Sequence, residues 1–300
     1  MTQSDVKAVP EAAASWGDGA REPVVPRVSE PRSVLVYLSY GWLFAVVAVA
    51  LLAGVLPLAS FAVPVGPPRQ APQLGSLDLL LGTDSQGRSI LSRCAYGAQV
   101  SLVVGAAAGL VGAAIGTALG MPAGYFGKRA DSLVRLVADA MLAFPPLILL
   151  LALSSILTPS VRTLLVGLTL LIVPSYIRLA RANTLAWAAR DFVLAARNMG
   201  AGHRRVLTRE IMPNFLPTLG AYLPVVMAAL IVAEGSLSFL GLGIPPPRPS
   251  WGGMIAEGKD SIAESPHMVF VPSFVIFLTV FALNQAGDHL RHRFDRTLRG

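Results

Sequence analysis

Long apolar runs alternate along this chain with polar stretches rich in glycine and proline. Residues 34–58 carry no charge over 25 positions, and about 20 residues suffice for a helix to cross a bilayer. Comparable runs follow at about 99–121, 133–157, 163–180, 215–240 and 268–287. The pattern predicts six transmembrane helices in an all-α integral membrane fold. Pro145-Pro146 interrupt the third run, Pro174 lies in the fourth, and Pro217 and Pro224 lie in the fifth. Prolines are tolerated in spans where neighbours re-satisfy the freed backbone groups, and such kinks often line a cavity. The short link Thr158–Arg162 predicts a tight helical hairpin between the third and fourth spans.

The second run carries Gly105, Gly109, Gly112, Gly116 and Gly120. Steps of three and four put these glycines along one side of a helix, where another helix backbone can approach closely. This span is therefore expected to pack centrally.

The polar stretches complete the organisation. Residues 1–33 hold four prolines and five acids and read as a mobile tail. A cleavable signal peptide is the rival reading of the first run, but its leader would be abnormally long and acidic and its apolar core too long. Residues 59–98 form a polar segment between the first two spans. A core over 99–288 follows, and 289–300 form a basic tail.

Composition sharpens the membrane reading. Hydrophobic residues are 54% and charged residues 14%, and mean hydropathy is +0.61, whereas a soluble surface needs about 25% charge. The net charge of +7 comes from 21 Arg and 3 Lys against 17 acids. Eighteen of the 24 basic residues fall in the two tails, in 122–135 and in 178–214; six fall in the other inter-span segments. Positive loops stay in the cytoplasm, so both termini of a multi-pass membrane protein are expected there. The bias accounts for the charge through membrane lipid, and no basic-aromatic module for nucleic acid is visible. The single cysteine, Cys94, excludes an internal disulfide or a Cys-cluster metal site. His289 and His292 read as part of the basic tail, and no catalytic or metal motif is present.

Asp191–Asn214, DFVLAARNMGAGHRRVLTREIMPN, is too polar to span. Asp191 opens a helix favourably against its dipole. Phe192, Ala195, Ala196 and Met199 recur at spacings of three and four and form one small, apolar face. Gly200 and Gly202 supply a turn. A second short helix would carry Val206, Leu207 and Ile211, with Pro213 limiting its extension. This helix–turn–helix fits a partner's groove, or else serves as an amphipathic lid on the bundle. No lysine lies in a Walker A loop, so ATP-powered transport would need an ATPase on another polypeptide.

The segment resembles the EAA motif of ABC importer permeases: Ala195-Ala196, three residues, Gly200 and then Pro213 match, while Leu194 replaces the Glu and Met212 the Leu. Leu81–Gly105 is similar to the stretch before the second span of C-type peptide-importer permeases. Gly124-Tyr125, Gly127, Asp131, Arg135, Asp139 and Ala143-Phe144-Pro145 follow that family's pattern. So do LSFLGLG and PSWG within Glu234–Met254, and Asn284–Asp288 with the basic tail. The resemblance covers about Gly82–Asp288. It implies type I ABC importer permease architecture and a role as pore-forming subunit of a dipeptide or oligopeptide importer. Relatives that move nickel or other small solutes share these blocks.

The same resemblance implies the partners: a B-type permease, two ATP-binding cassette subunits that hold the ATP-Mg, and an extracytoplasmic substrate-binding protein. It makes 191–213 the coupling helices, with Asp191, Ala195, Ala196, Gly200 and Pro213 as ATPase-coupling residues. No catalytic residue, metal or cofactor is assigned to this chain. Glu234 is a candidate gate or substrate-path residue, since a carboxylate at midplane costs about 2.5–3.5 kcal/mol on insertion scales; packing between helices is the competing role. Asp139 and Arg135 are expected to pair along one helix; Thr83, Asp84 and Arg88 are expected to shape the external segment, with Asp84 pairing with Arg88. Trp251 and its glycine neighbours are expected in an ordered outer loop, with contact to the binding protein as one of its readings. The alternative class is a self-sufficient secondary transporter, for which repeats and midplane charges would be expected; only Glu234 qualifies. An intramembrane enzyme lacks its nucleophile–base or metal pair.

Overall fold

The computed structural model describes residues 34–158 and 160–297. The expected mobile tail, 1–33, lies outside the described residues. Among the described residues the secondary structure is helical, apart from two isolated bridges, Pro64–Arg88 and Thr83–Ser89. The helices are α1 (Val34–Leu52), α2 (Ile90–Phe126), α3 (Lys128–Ala143), α4 (Pro146–Ile156), α5 (Val161–Ala188), α6 (Asp191–Asn198), α7 (His203–Arg205), α8 (Met212–Phe239), α9 (Trp251–Gly258) and α10 (His267–Thr297). Five helices among the described residues are long and apolar enough to cross a membrane, or six if α3 and the start of α4 count as one span.

That pair is bent by 85°. A residue before proline is pushed out of the helical region. Here Phe144 and Pro145, each followed by proline, have ψ of 127° and 128°. The third run is therefore not one straight helix: α4 has 11 residues, about 16 Å of helix, too short to cross alone. Ser160 begins α5 by accepting the Thr163 N–H at 3.1 Å; such caps satisfy the orphan donors of a helix start. The α4–α5 hairpin closes tightly, because a Cβ on Gly167 would come within 3.0 Å of Leu150.

α2 begins at Ile90, nine residues before the apolar run. Ser89 caps it, and the polar Ser92, Arg93 and Ser101 of its first turns are buried. Their polarity hid the helix from a hydropathy reading. At the far end α10 continues to Thr297, so the basic tail is helical over 289–297.

The glycine strip of α2 does what its spacing implies. A Cβ on Gly105 would sit 3.3 Å from Ile231, and one on Gly109 3.0 Å from Leu223, both on α8. From Gly112 to Gly124 the strip turns to α5. A Cβ on Gly112, Gly116, Gly120 or Gly124 would come within 3.0 Å of Ile172, Tyr176, Ile177 or Arg181 respectively. At Gly120 and Gly124 the obstacle is a backbone carbonyl, which cannot swing away. Around this seam a core of Ala108, Leu168, Tyr176, Ile211, Phe215 and Leu230 joins α2, α5 and α8. A second cluster, with Val46, Ala98, Ile231, Trp251 and Leu283, holds α1 and α10 to the bundle. Trp42 Nε1–H donates to Thr279 Oγ1 at 3.1 Å across the α1–α10 contact.

Gly120→Ala is expected to destabilise the chain by about 1–3 kcal/mol, the usual cost of overpacking. Gly220→Ala, where nothing lies within 4 Å of the new Cβ, is expected to change stability by less than about 0.5 kcal/mol. Thermal unfolding of both variants in the same detergent separates the two sites; equal midpoints would contradict the seam.

Candidate functional site

α6 and the helix that follows make an elbow at one end of the bundle. Asp191 lies in the first turn of α6, after Arg190 in extended conformation, and Arg197 lies in the last turn. Both charges favour the helix dipole. Gly200 has φ +87°, and a Cβ added there would meet no atom within 4 Å. Its requirement is conformational, since only glycine visits this region at little cost. Beyond it, α7, a π turn over Val206–Ile211 and α8 run on as one helix, His203–Phe239.

Pro213 therefore does not limit the second helix, contrary to the sequence expectation. It stands in the first turn of α8, where its missing N–H would otherwise break the ladder. The wider π turn precedes it, and the Met212 N–H reaches back to Leu207 O. Such bulges are a known way for a helix to absorb a local irregularity.

The faces of α6 also differ from expectation. Val193 (0% exposed) and Ala196 (8%) point inward, towards a core that includes Val206, Leu207 and Ile211. Phe192 (42%), Ala195 and Met199 (82%) are exposed and share the other side. Ala196 thus leaves the outward face to which its spacing assigned it. Helical periodicity gives neighbours on a surface but not which arc of the surface is covered. Edge-on contact between Trp187 and Phe192 and the Arg190 guanidinium over Trp187 at 5.5 Å frame the exposed stripe.

The elbow touches the C-terminal turn of α2. The Tyr125 hydroxyl and His203 Nδ1 are 3.0 Å apart, Phe126 meets His203 edge-on at 5.4 Å, and Arg197 lies 5.8 Å over the Tyr125 ring. Ion pairs bind α3 to α5 nearby. Arg181 pairs with Asp131, and Arg178 Nη2 lies 2.7 Å from Asp139 Oδ1. Asp139 is thus paired with Arg178 across helices, not with Arg135, which lies 3.4 Å from Asp131. Both arrangements satisfy Asp139, but Arg178 reaches it from a facing helix.

At the opposite end of α2 a buried ionic knot joins three segments. Arg88 Nε donates to Asp84 Oδ2 at 2.6 Å, and Arg88 Nη2 to Glu257 Oε2 at 3.0 Å. Arg93 donates to Asp84, and its Nη2 to Glu257 Oε1 at 2.9 Å. The Asp84–Arg88 pair was legible from its spacing; Arg93 and Glu257 were not. Burial raises the Glu257 carboxyl above its ordinary range, while the Arg93 guanidinium pulls it back. Trp251 is fully buried beside this knot, its Nε1–H donating to Cys94 O at 3.0 Å. A ring so placed cannot be a surface contact for another protein, which corrects the expectation for Trp251.

Glu234 sits at the α2–α8–α9 junction, 1% exposed. Its Oε1 accepts from Ser238 Oγ at 2.8 Å and its Oε2 from Ser101 Oγ at 3.4 Å. A buried carboxylate needs such donors. A cavity of about 690 Å³ opens next to it, lined by Ser238, Phe239, Pro245, Glu257 and Lys259 among others. Glu234 meets that cavity through Ser238. Among the described residues no three His, Cys, Asp or Glu side chains gather into a metal-holding group.

Residues 116–300 match the family model described as "Binding-protein-dependent transport system inner membrane component". A peptide transport system permease protein of Brucella suis biovar 1 (strain 1330) is 39% identical over 223 residues, 74% of this chain and 75% of its own. The glutathione transport system permease protein GsiD of Pectobacterium atrosepticum is 38% identical over 219 residues, 73% of each chain. That of Escherichia coli O6:K15:H31 is 38% identical over 225 residues, 75% of this chain and 74% of its own. With these likenesses on a helical membrane bundle that ends in an exposed elbow, the chain belongs to the family of inner-membrane components of binding-protein-dependent transport systems.

Proposed function

We propose that this chain forms half of the translocation pathway of an ATP-driven importer for peptides, with ATP hydrolysed on partner subunits. The observation that carries this reading is the elbow. One side of α6 is sealed into the bundle by Val193 and Ala196, while Phe192, Ala195 and Met199 remain uncovered. Exposed apolar side chains on a charged, non-spanning segment fit a groove in a soluble partner. Gly200 and the unbroken helix from His203 to Phe239 turn a displacement of α6 into a tilt of a spanning helix. That is the mechanical requirement of alternating access between two global states.

The relatives named for peptide and for glutathione transport support a peptide-class substrate. The excess of basic residues in 122–135 and 178–214 supports a cytoplasmic elbow and cytoplasmic termini. The knot end, with the 690 Å³ cavity, then faces the extracytoplasmic binding protein. A second permease of the B type completes the pathway, and lipid surrounds the outer helices. The ATPase-coupling residues are Asp191, Ala195, Gly200 and Pro213, with Ala196 seating the helix from within. The burial of Glu234 among serine hydroxyls favours a packing role over a gate. Within the same family, nickel or another small solute is the alternative cargo.

Proteoliposomes test the reading. The chain alone is expected to take up no labelled dipeptide or glutathione, and the chain with B-type permease, ATPases and loaded binding protein to take it up only with ATP. Uptake by the chain alone would make it a secondary transporter. ATP-driven uptake of nickel but not peptide would leave the family intact and change the cargo.

A further inference from the structure

α6 follows α5 directly, and the helix His203–Phe239 follows the Gly200 turn. The turn between them is closed by the Gly200 N–H to Arg197 O and the Ala201 N–H to Ala196 O, each at 3.0 Å, and Val193, Val206 and Leu207 share one core, so the two arms hold one another. A push on α6 reaches the end of α2 through a further contact. That brace comes from α2. Its last turn offers Tyr125 and Phe126, and both meet His203, the first residue of the second arm; Tyr125 also lies beneath Arg197, on the first arm. One aromatic residue therefore touches both arms across the hinge. The end of α2 that carries it is held firmly, because Gly124 packs against the Arg181 carbonyl and Thr184 of α5. α2 itself runs unbroken for 37 residues to the ionic knot, about 55 Å at 1.5 Å per residue.

We propose that Tyr125 and His203 brace the elbow against the end of α2, so that movement of the elbow is transmitted to α2 as well as to α8, and through α2 to the knot end of the bundle. Tyr125 is a positioning residue in this scheme. It touches neither substrate nor nucleotide, and it acts by tying both arms of the elbow to α2. The inference rests on the functional reading above.

The brace is made of one hydrogen bond and ring contacts near solvent. Loss of a hydrogen bond of this kind shifts a two-state equilibrium by about fivefold. In the assembled transporter, reconstituted with its partners and loaded binding protein, Tyr125→Phe, which keeps the ring and loses only the hydroxyl, is expected to lower uptake per ATP hydrolysed by about fivefold. Tyr125→Ala and His203→Ala, which lose ring contacts as well, are each expected to lower it by more than about fivefold. The double variant should lower it by less than the product of the two singles, because both remove the shared Tyr125–His203 contact. A contact that merely stabilises the fold would lower the yield of complex and leave uptake per ATP unchanged; that result, or independent effects that multiply in the double variant, would overturn the brace. If Tyr125→Ala does not assemble, Tyr125→Phe decides alone. Absence of ATP-driven uptake by the unmodified complex would overturn the functional reading itself, whereas normal uptake with unaltered ratios in the variants would overturn only the brace.

Discussion

Arg93→Met is expected to destabilise the chain by about 3–5 kcal/mol, the range for breaking a buried ion pair by removing one partner. Arg93 is 1% exposed and donates to both carboxylates of the knot. Its loss leaves Asp84 and Glu257 to share the single guanidinium of Arg88, so two negative charges stand against one positive charge. Methionine fills much of the same space, which confines the effect to charge and hydrogen bonding. Arg93→Lys should recover only part of the loss, because a single ammonium cannot reproduce the two-armed geometry. Arg69, paired with Glu264 at 3.3 Å with side chains 48% and 75% exposed, is the internal standard: Arg69→Ala should cost under about 1 kcal/mol. Thermal unfolding of both variants in the same detergent compares their midpoints. Equal midpoints for Arg93→Met and Arg69→Ala would show that the knot is not a buried charge network.

The knot also shows where sequence reading stops. Asp84 and Arg88 are four residues apart, and a local pair can be read from spacing. Arg93 and Glu257 are 164 residues apart, and no local pattern links them; tertiary packing of α9 against the start of α2 creates that bond. The same packing hides Arg93, whose charge marks residues 90–98 as lying outside the apolar run. Apolar run length located the spanning helices well because backbone groups in lipid leave helices as the simple solution. It did not reveal the 85° bend after Ala143, because hydropathy is blind to direction. The glycine strip of α2 was legible because spacing alone fixes which side of a helix it occupies. What it packs against, α8 first and then α5, was not. The turn at Gly200 was legible from composition. The continuity of the helix past Pro213 was not, since it depends on a π turn whose wide hydrogen bonding no residue type announces.

The elbow yields the second large effect, and its faces decide how the test is built. Phe192→Asp and Ala195→Arg place charge on the exposed side of α6, where within the chain Phe192→Asp gives up the edge-on contact with Trp187. Both variants are expected to fold and reach the membrane normally. In the assembled system each should cut peptide uptake at least tenfold, because truncating or charging an anchor in an apolar interface costs about 2 kcal/mol or more, and ATPase subunits should co-purify poorly. Ala196→Arg is the contrast. Ala196 is 8% exposed, so a guanidinium there must be buried or must lift α6 from the bundle; yield of folded chain should fall together with uptake. Gly200→Val separates a third cause. Its φ of +87° costs a β-branched residue about 1–3 kcal/mol of strain without any clash, so the elbow's angle changes while its exposed stripe stays intact. Uptake lost in Phe192→Asp with ATPases still bound at full occupancy would mean that the stripe transmits motion without supplying affinity. Normal uptake in both Phe192→Asp and Ala195→Arg would mean that the ATPases grip the chain elsewhere, since each puts a charge into the exposed apolar stripe of an 8-residue helix.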